Sequence, residues 1–128
     1  MVSLGRVLVV DDETEVASVL RDSLLAFGYE VRVATTGREA LSIVSDYRPA
    51  VVLLDLKLPD LPGQSVLDEF RREAPTVPII VVTGNRDAEV ARALLQSGAF
   101  DYLAKPFQLS ILEQVVAAAV LEHKRRTS

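Results

Sequence analysis

The chain has 128 residues, 49% of them apolar and 25% charged, with a formal net charge of −4 and no cysteine. That length suits one domain burying roughly two thirds of its unfolded surface, and the composition is that of an ordinary globule. No run approaches the ~18 apolar residues of a membrane span, disulfides and thiolate metal sites are excluded, and the negative balance argues against nucleic-acid binding by this domain.

Arg-Val-Leu-Val-Val (6–10) is a continuous aliphatic run, suited to a strand buried on both faces, and it leads into Asp11 and Asp12. Val16, Val19, Leu20, Leu24 and Phe27 then recur at helical spacing, with Gly28 as the expected C-terminal cap. Glu-Val-Arg-Val-Ala (30–34) alternates polar and apolar residues and predicts a half-exposed edge strand. Thr36-Gly-Arg-Glu39 has the form of a capping box and opens a second helix, with Ala40, Leu41 and Val44 inward.

Ala-Val-Val-Leu-Leu (50–54) leads into Asp55, and the segment 56–63 is irregular because two prolines interrupt it. Val66, Leu67 and Phe70 mark a third helix. Pro75 and Pro78 bracket the turn into the run 77–82, which leads into Thr83. A fourth helix is expected from Asp87 to Ser97, ending at Gly98, and the run 100–104 leads into Lys105-Pro106. The fifth helix is expected from Gln108 to about Lys124, with Leu109, Leu112, Val116, Ala119 and Val120 as its core stripe. Ile111, Val115 and Ala118 form a second apolar face. The basic tail 123–126 complements the C-terminal end of that helix, with His123 in solvent.

Strands alternating with helices five times predict an α/β fold, a doubly wound parallel sheet. In such a sheet the C-terminal strand ends share one edge, where open α/β sheets bind their ligands. That edge collects Asp11, Asp12, Asp55, Thr83 and Lys105. Clustered carboxylates repel one another unless a cation joins them, and an all-oxygen set suits Mg2+ (or Mn2+). A carboxylate such as Asp55 can attack phosphorus, with Lys105 neutralising charge and Thr83 donating from its hydroxyl. Together these residues point to an aspartyl-phosphate site. Taken singly, Asp11 and Asp12 also suit capping of the first helix, and Tyr102 a packing role.

Four segments carry a resemblance: Val-Val-Asp-Asp-Glu (9–13), Leu-Leu-Asp-Leu-Lys-Leu-Pro (53–59) with Gly63, Val-Val-Thr-Gly (81–84), and Gly-Ala-Phe-Asp-Tyr-Leu-Ala-Lys-Pro-Phe (98–107). In this order and spacing they resemble the receiver domain of two-component response regulators across nearly the whole chain. The resemblance implies a flavodoxin-like sheet of five parallel strands, order 2-1-3-4-5, with five helices. It implies Asp55 as phosphoacceptor and a sensor histidine kinase or phosphotransfer protein as partner. Asp12 would bind the metal directly and Asp11 mainly through water, with the backbone carbonyl of Lys57 completing the protein ligands. Thr83 and Lys105 would contact the phosphoryl group, the bond before Pro106 would be cis, and Tyr102 would be the aromatic switch paired with Thr83.

The resemblance further implies pairing of two copies through the fourth helix, fifth strand and fifth helix. It describes a phosphorelay regulator rather than an enzyme, limited to its own phosphorylation and dephosphorylation. Lys57 and Asn85 stand where receivers tune phosphoryl lifetime; Lys57 either screens the group from water or points to solvent. Gly84 stands where alanine is common and loosens the loop carrying Thr83. Residues 1–128 would be one receiver domain, standing alone or preceding an effector domain. The N-terminus lacks the features of a signal peptide, so a cytoplasmic location is expected, with no membrane contact. Two other readings exist. A flavodoxin-like small-molecule binder would need a phosphate-cradling first loop where Asp11-Asp12-Glu13 stands. A phosphorylation-independent docking or dimerisation module would not need all five site residues.

Overall fold

The computed structural model describes residues 2–84 and 88–128. Strands β1 (Arg6–Val10), β2 (Glu30–Ala34), β3 (Val51–Asp55), β4 (Ile79–Thr83) and β5 (Asp101–Ala104) alternate with helices α1 (Thr14–Ala26), α2 (Gly37–Tyr47), α3 (Gly63–Glu73), α4 (Ala88–Gln96) and α5 (Leu109–Thr127). All strands run parallel in one sheet, order β2-β1-β3-β4-β5, as the alternating pattern and the resemblance lead one to expect. Asp87, the expected first residue of the fourth helix, and Asn85 lie outside the described residues.

The central strands are almost wholly aliphatic, and the strand pleat sorts them between two cores. Leu8, Val10, Val52, Leu54, Ile79 and Val81 pack with Val44, Val66, Leu67 and Phe70 of α2 and α3. Val7, Val9, Val51, Leu53, Ile80 and Val82 pack with Leu20 and Leu24 of α1 and with Leu112 and Val116 of α5. Each fully buried aliphatic side chain contributes roughly 1.5–3 kcal/mol. The sheet is therefore a stiff support for whatever its carboxyl edge carries. Asp55 and Thr83 are the last residues of β3 and β4, not the first residues of loops, so this support reaches them directly.

Local signals act as their chemistry requires. Gly28 takes φ +103°, and its N–H donates to the Leu25 carbonyl (3.0 Å) while that of Tyr29 donates to Leu24 (3.0 Å), closing α1. Thr36 caps α2, its hydroxyl accepting from the Glu39 N–H (3.1 Å). The returning carboxylate of Glu39 accepts from Thr35 (2.8 Å), one residue before the cap. Strand β2 is an edge, with Glu30 and Arg32 exposed.

Three expectations need correction. Val19 is 52% exposed, because α1 buries the stripe of Ala17, Leu20 and Leu24 and a one-residue step turns about 100° around a helix. Leu109 is 51% exposed; it is the first residue of α5, whose buried stripe begins at Leu112. These two side chains line one open groove of about 670 Å³ with Val16, Phe107 and Lys105. His123 is half-buried rather than solvated, since α5 runs on to Thr127 beside the start of β1, and it shares a pocket with Arg6, Arg48 and Glu73. Burial lowers its pKa. Among the described residues, no helix is long and apolar enough to cross a membrane.

Candidate functional site

Asp11 directly follows β1. Its N–H donates to the Ala34 carbonyl (3.0 Å), extending the β1–β2 pairing by one residue, and its Oδ1 accepts from the Glu13 N–H (2.9 Å). Asp55 is built in the same way: its Oδ1 accepts from the Lys57 N–H (3.0 Å). Each carboxylate thus uses one oxygen to shape its own loop. Asp11 is 1% exposed and Asp55 3%. Asp12 is exposed, yet one oxygen from each of Asp11, Asp12 and Asp55 lies within 4.8 Å of the others.

The Lys105 ammonium stands over this group. Its Nζ lies 3.5 Å from Asp55 Oδ2, 3.7 Å from Asp11 Oδ2 and 3.4 Å from Glu13 Oε1. Its backbone is tied to the end of β4, where the Lys105 N–H donates to the Thr83 carbonyl (2.8 Å). The Lys105–Pro106 bond is cis. Thr83 is buried at the end of β4, opposite Ala104 in the register. The sheet therefore gathers all five candidate residues at one edge, as their places after the strands suggest.

Burial pushes the Asp11 carboxyl up to about 6, and the Asp55 carboxylate adds to the rise against the Glu13 N–H and Lys105. Burial would lower Lys105, but the carboxylates of Asp55, Asp11 and Glu13 outweigh it and hold the ammonium above its ordinary value. Oδ2 of Asp11 and Oδ2 of Asp55 are buried and accept no hydrogen bond among the described residues. The nearby Lys105 ammonium offsets only part of the cost, about 1–3 kcal/mol, of burying such an atom without a hydrogen bond. Two orphaned carboxylate oxygens beside a third carboxylate form an all-oxygen donor set, which fits a divalent cation of the Mg2+ type.

Tyr102 lies opposite Val81 in the register, so it shares a sheet face with Val81 and Thr83. It is 36% exposed and lines a groove of about 430 Å³ with Asp101, Ile111 and Val115. The Lys57 side chain is exposed. A Cβ at Gly84 would meet nothing within 4 Å, so packing does not demand glycine there. Two residues that the sequence reading does not single out also matter. Glu13, beside Asp12 in the chain, is the third carboxylate on Lys105. Asp60 accepts hydrogen bonds from the N-terminal amides of α2.

Residues 7–117 match the family described as Response regulator receiver domain. The chain is 38% identical over 120 residues to the regulatory protein AtoC of Escherichia coli, covering 94% of this chain and 26% of AtoC. It is 43% identical over 107 residues to the response regulator MprA of Mycolicibacterium vanbaalenii, covering 84% of this chain and 46% of MprA. Its fold matches the CheY-like response regulator receiver domain protein from Methanospirillum hungatei with a TM-score of 0.88 at 32% identity, over 96% of this chain and 98% of that one. The chain spans about a quarter of AtoC and under half of MprA.

Proposed function

The chain belongs to the response regulator receiver domain family, and from that premise we propose that it is a phosphoacceptor switch in which Asp55 takes a phosphoryl group from a partner's histidine in a Mg2+-dependent reaction. The observation that carries this reading is the buried Oδ2 of Asp55, which accepts no hydrogen bond among the described residues and lies 3.5 Å from Lys105. One carboxylate oxygen of Asp55 is the attacking atom, and the other stays available to the cation. The attacking oxygen bonds to phosphorus as the phosphorus–nitrogen bond to the donor imidazole breaks, and the departing imidazole keeps that electron pair. The donor is a sensor histidine kinase or a phosphotransfer protein.

Asp11, Asp12, Asp55 and the carbonyl of Lys57 would hold Mg2+ (or Mn2+), which when bound would neutralise charge on the phosphoryl group. Lys105 and the Thr83 hydroxyl contact the phosphoryl group. Modified Asp55 carries roughly −2 charge and draws Lys105 and Thr83 toward it. Tyr102, on the same sheet face as Thr83, turns inward, and the surface of α4, β5 and α5 passes between two states. The apolar groove at Tyr102, Ile111 and Val115 is where a second copy would seat. The domain regulates rather than catalyses, with only its own phosphorylation and dephosphorylation as chemistry. In a longer chain it would control a following effector domain.

Incubation with Mg2+ and acetyl phosphate, read by intact mass spectrometry, tests this. Wild type should gain one phosphoryl mass and Asp55→Asn none. A folded wild type that gains nothing would contradict the reading.

A further inference from the structure

The loop 56–62 joins β3 to α3 and carries both Lys57 and Asp60. Its prolines deny it regular backbone pairing, so it depends on contacts elsewhere. It is held at three places. At the base, Lys57 and Pro62 pair across the loop, and the Lys57 N–H donates to Asp55 Oδ1 (3.0 Å). At the exit, Gly63 lies so close to Leu56 that a Cβ would meet its Cα and carbonyl oxygen at 2.7 Å. At the tip, Asp60 reaches out of the loop altogether: Oδ1 accepts from the Gly37 N–H (2.9 Å) and Oδ2 from the Arg38 N–H (3.0 Å).

Those are the first two amides of α2, which the helix cannot satisfy internally. The next, on Glu39, donates to Thr36 Oγ1 (3.1 Å). The N-terminus of α2 is therefore shared between a local cap, Thr36, and an anchor that lies 23 residues further on from Gly37. The Arg38 N–H, helped by that of Gly37, holds the Asp60 carboxyl below its ordinary range, so the anchor is ionised.

We propose that Asp60 is a positioning residue for the divalent-cation site, tying the tip of the 56–62 loop to α2 so that the backbone at Lys57 is set before a cation arrives. The inference rests on the function proposed above, in which the Lys57 carbonyl is a ligand. Without this tie, cation binding would itself have to order the loop, and affinity would fall. Thr36 supplies the control, since its hydroxyl caps the same helix end through the Glu39 N–H and not through Asp60.

Mn2+ titrations of wild type, Asp60→Ala and Thr36→Ala, read by water-proton relaxation, test the proposal. Both variants should lose stability, with melting temperatures lower by about 4 °C. Asp60→Ala should weaken Mn2+ binding roughly tenfold, and Thr36→Ala by less than about twofold. Asp60→Asn keeps one accepting oxygen and should fall between wild type and alanine; it carries the test if the alanine variant does not fold. Equal weakening in both alanine variants, or unchanged affinity in Asp60→Ala (or in Asp60→Asn, where that variant carries the test), would overturn the proposal. A wild type that binds no Mn2+ would overturn the cation site itself, whereas tight binding shared by wild type and Asp60→Ala would remove only the positioning role.

Discussion

The two edges of this sheet handle charge in opposite ways. At the carboxyl edge, Asp11 and Asp55 are buried, their Oδ2 atoms accept no hydrogen bond among the described residues, and Lys105 stands 3.7 and 3.5 Å away from them. At the amino edge Arg6 is exposed, as is Arg32 midway along β2, and both serve local structure. Arg6 Nε donates to the carbonyls of Tyr47 (2.8 Å) and Arg48 (3.2 Å), closing the end of α2. The Arg6 and Arg32 guanidinium groups lie 6.0 and 5.6 Å from the centre of the Tyr47 ring. An exposed arginine on orphan helix carbonyls supports the fold, whereas a buried carboxylate oxygen without a donor opposes it. The carboxyl edge therefore carries groups that the fold tolerates rather than needs, and the aliphatic strands beneath supply the surplus stability.

Substitutions at the two edges can break this contrast or sharpen it. Gly63→Ala should have the largest effect, a loss of about 3 kcal/mol in urea unfolding, because its Cβ would strike the backbone of Leu56. A loss well under that would mean the loop beside Asp55 yields easily. Lys105→Met removes the ammonium shared by Asp11, Asp55 and Glu13. It should cost about 2 kcal/mol in EDTA, part of it recovered on adding Mg2+. A neutral result in EDTA would show that the carboxylates are not in conflict. Arg6→Ala should cost the least, about 1 kcal/mol, and by the same amount with and without Mg2+. A Mg2+-dependent cost there would couple the edges and undo the contrast.

The carboxyl half of this contrast was open to reading in the chain. Continuous aliphatic runs can hardly be anything but central strands, and a parallel sheet then forces Asp11, Asp55, Thr83 and Lys105 onto one edge. Helix faces were read less well. Val19 and Leu109 fit an apolar stripe by spacing, but a helix packed on a sheet buries a narrower band than the pattern allows. Asp60 was invisible, because an aspartate between prolines reads as a turn residue and its amide partners lie more than 20 positions back. His123 was misplaced because nothing in the sequence tells how far α5 runs past the sheet.

Asp11 tests the contrast most directly. Burial pushes its carboxyl from 3.8 up to about 6, so the folded protein binds this proton more tightly than the unfolded chain does. Ionisation of Asp11 then opposes folding: without metal, its contribution to stability is lost as the pH rises from about 4 to about 6. A rise of about two pK units corresponds to on the order of 3 kcal/mol. Urea unfolding of wild type and Asp11→Asn at pH 7 and at pH 4, in EDTA and in excess Mg2+, reads this. Asp11→Asn should be the more stable protein in EDTA, by an amount that vanishes near pH 4, and the less stable one in Mg2+. A wild type that is more stable than Asp11→Asn in EDTA at pH 7, or an order that Mg2+ leaves unchanged, would contradict a carboxyl edge built for a cation at the expense of the fold.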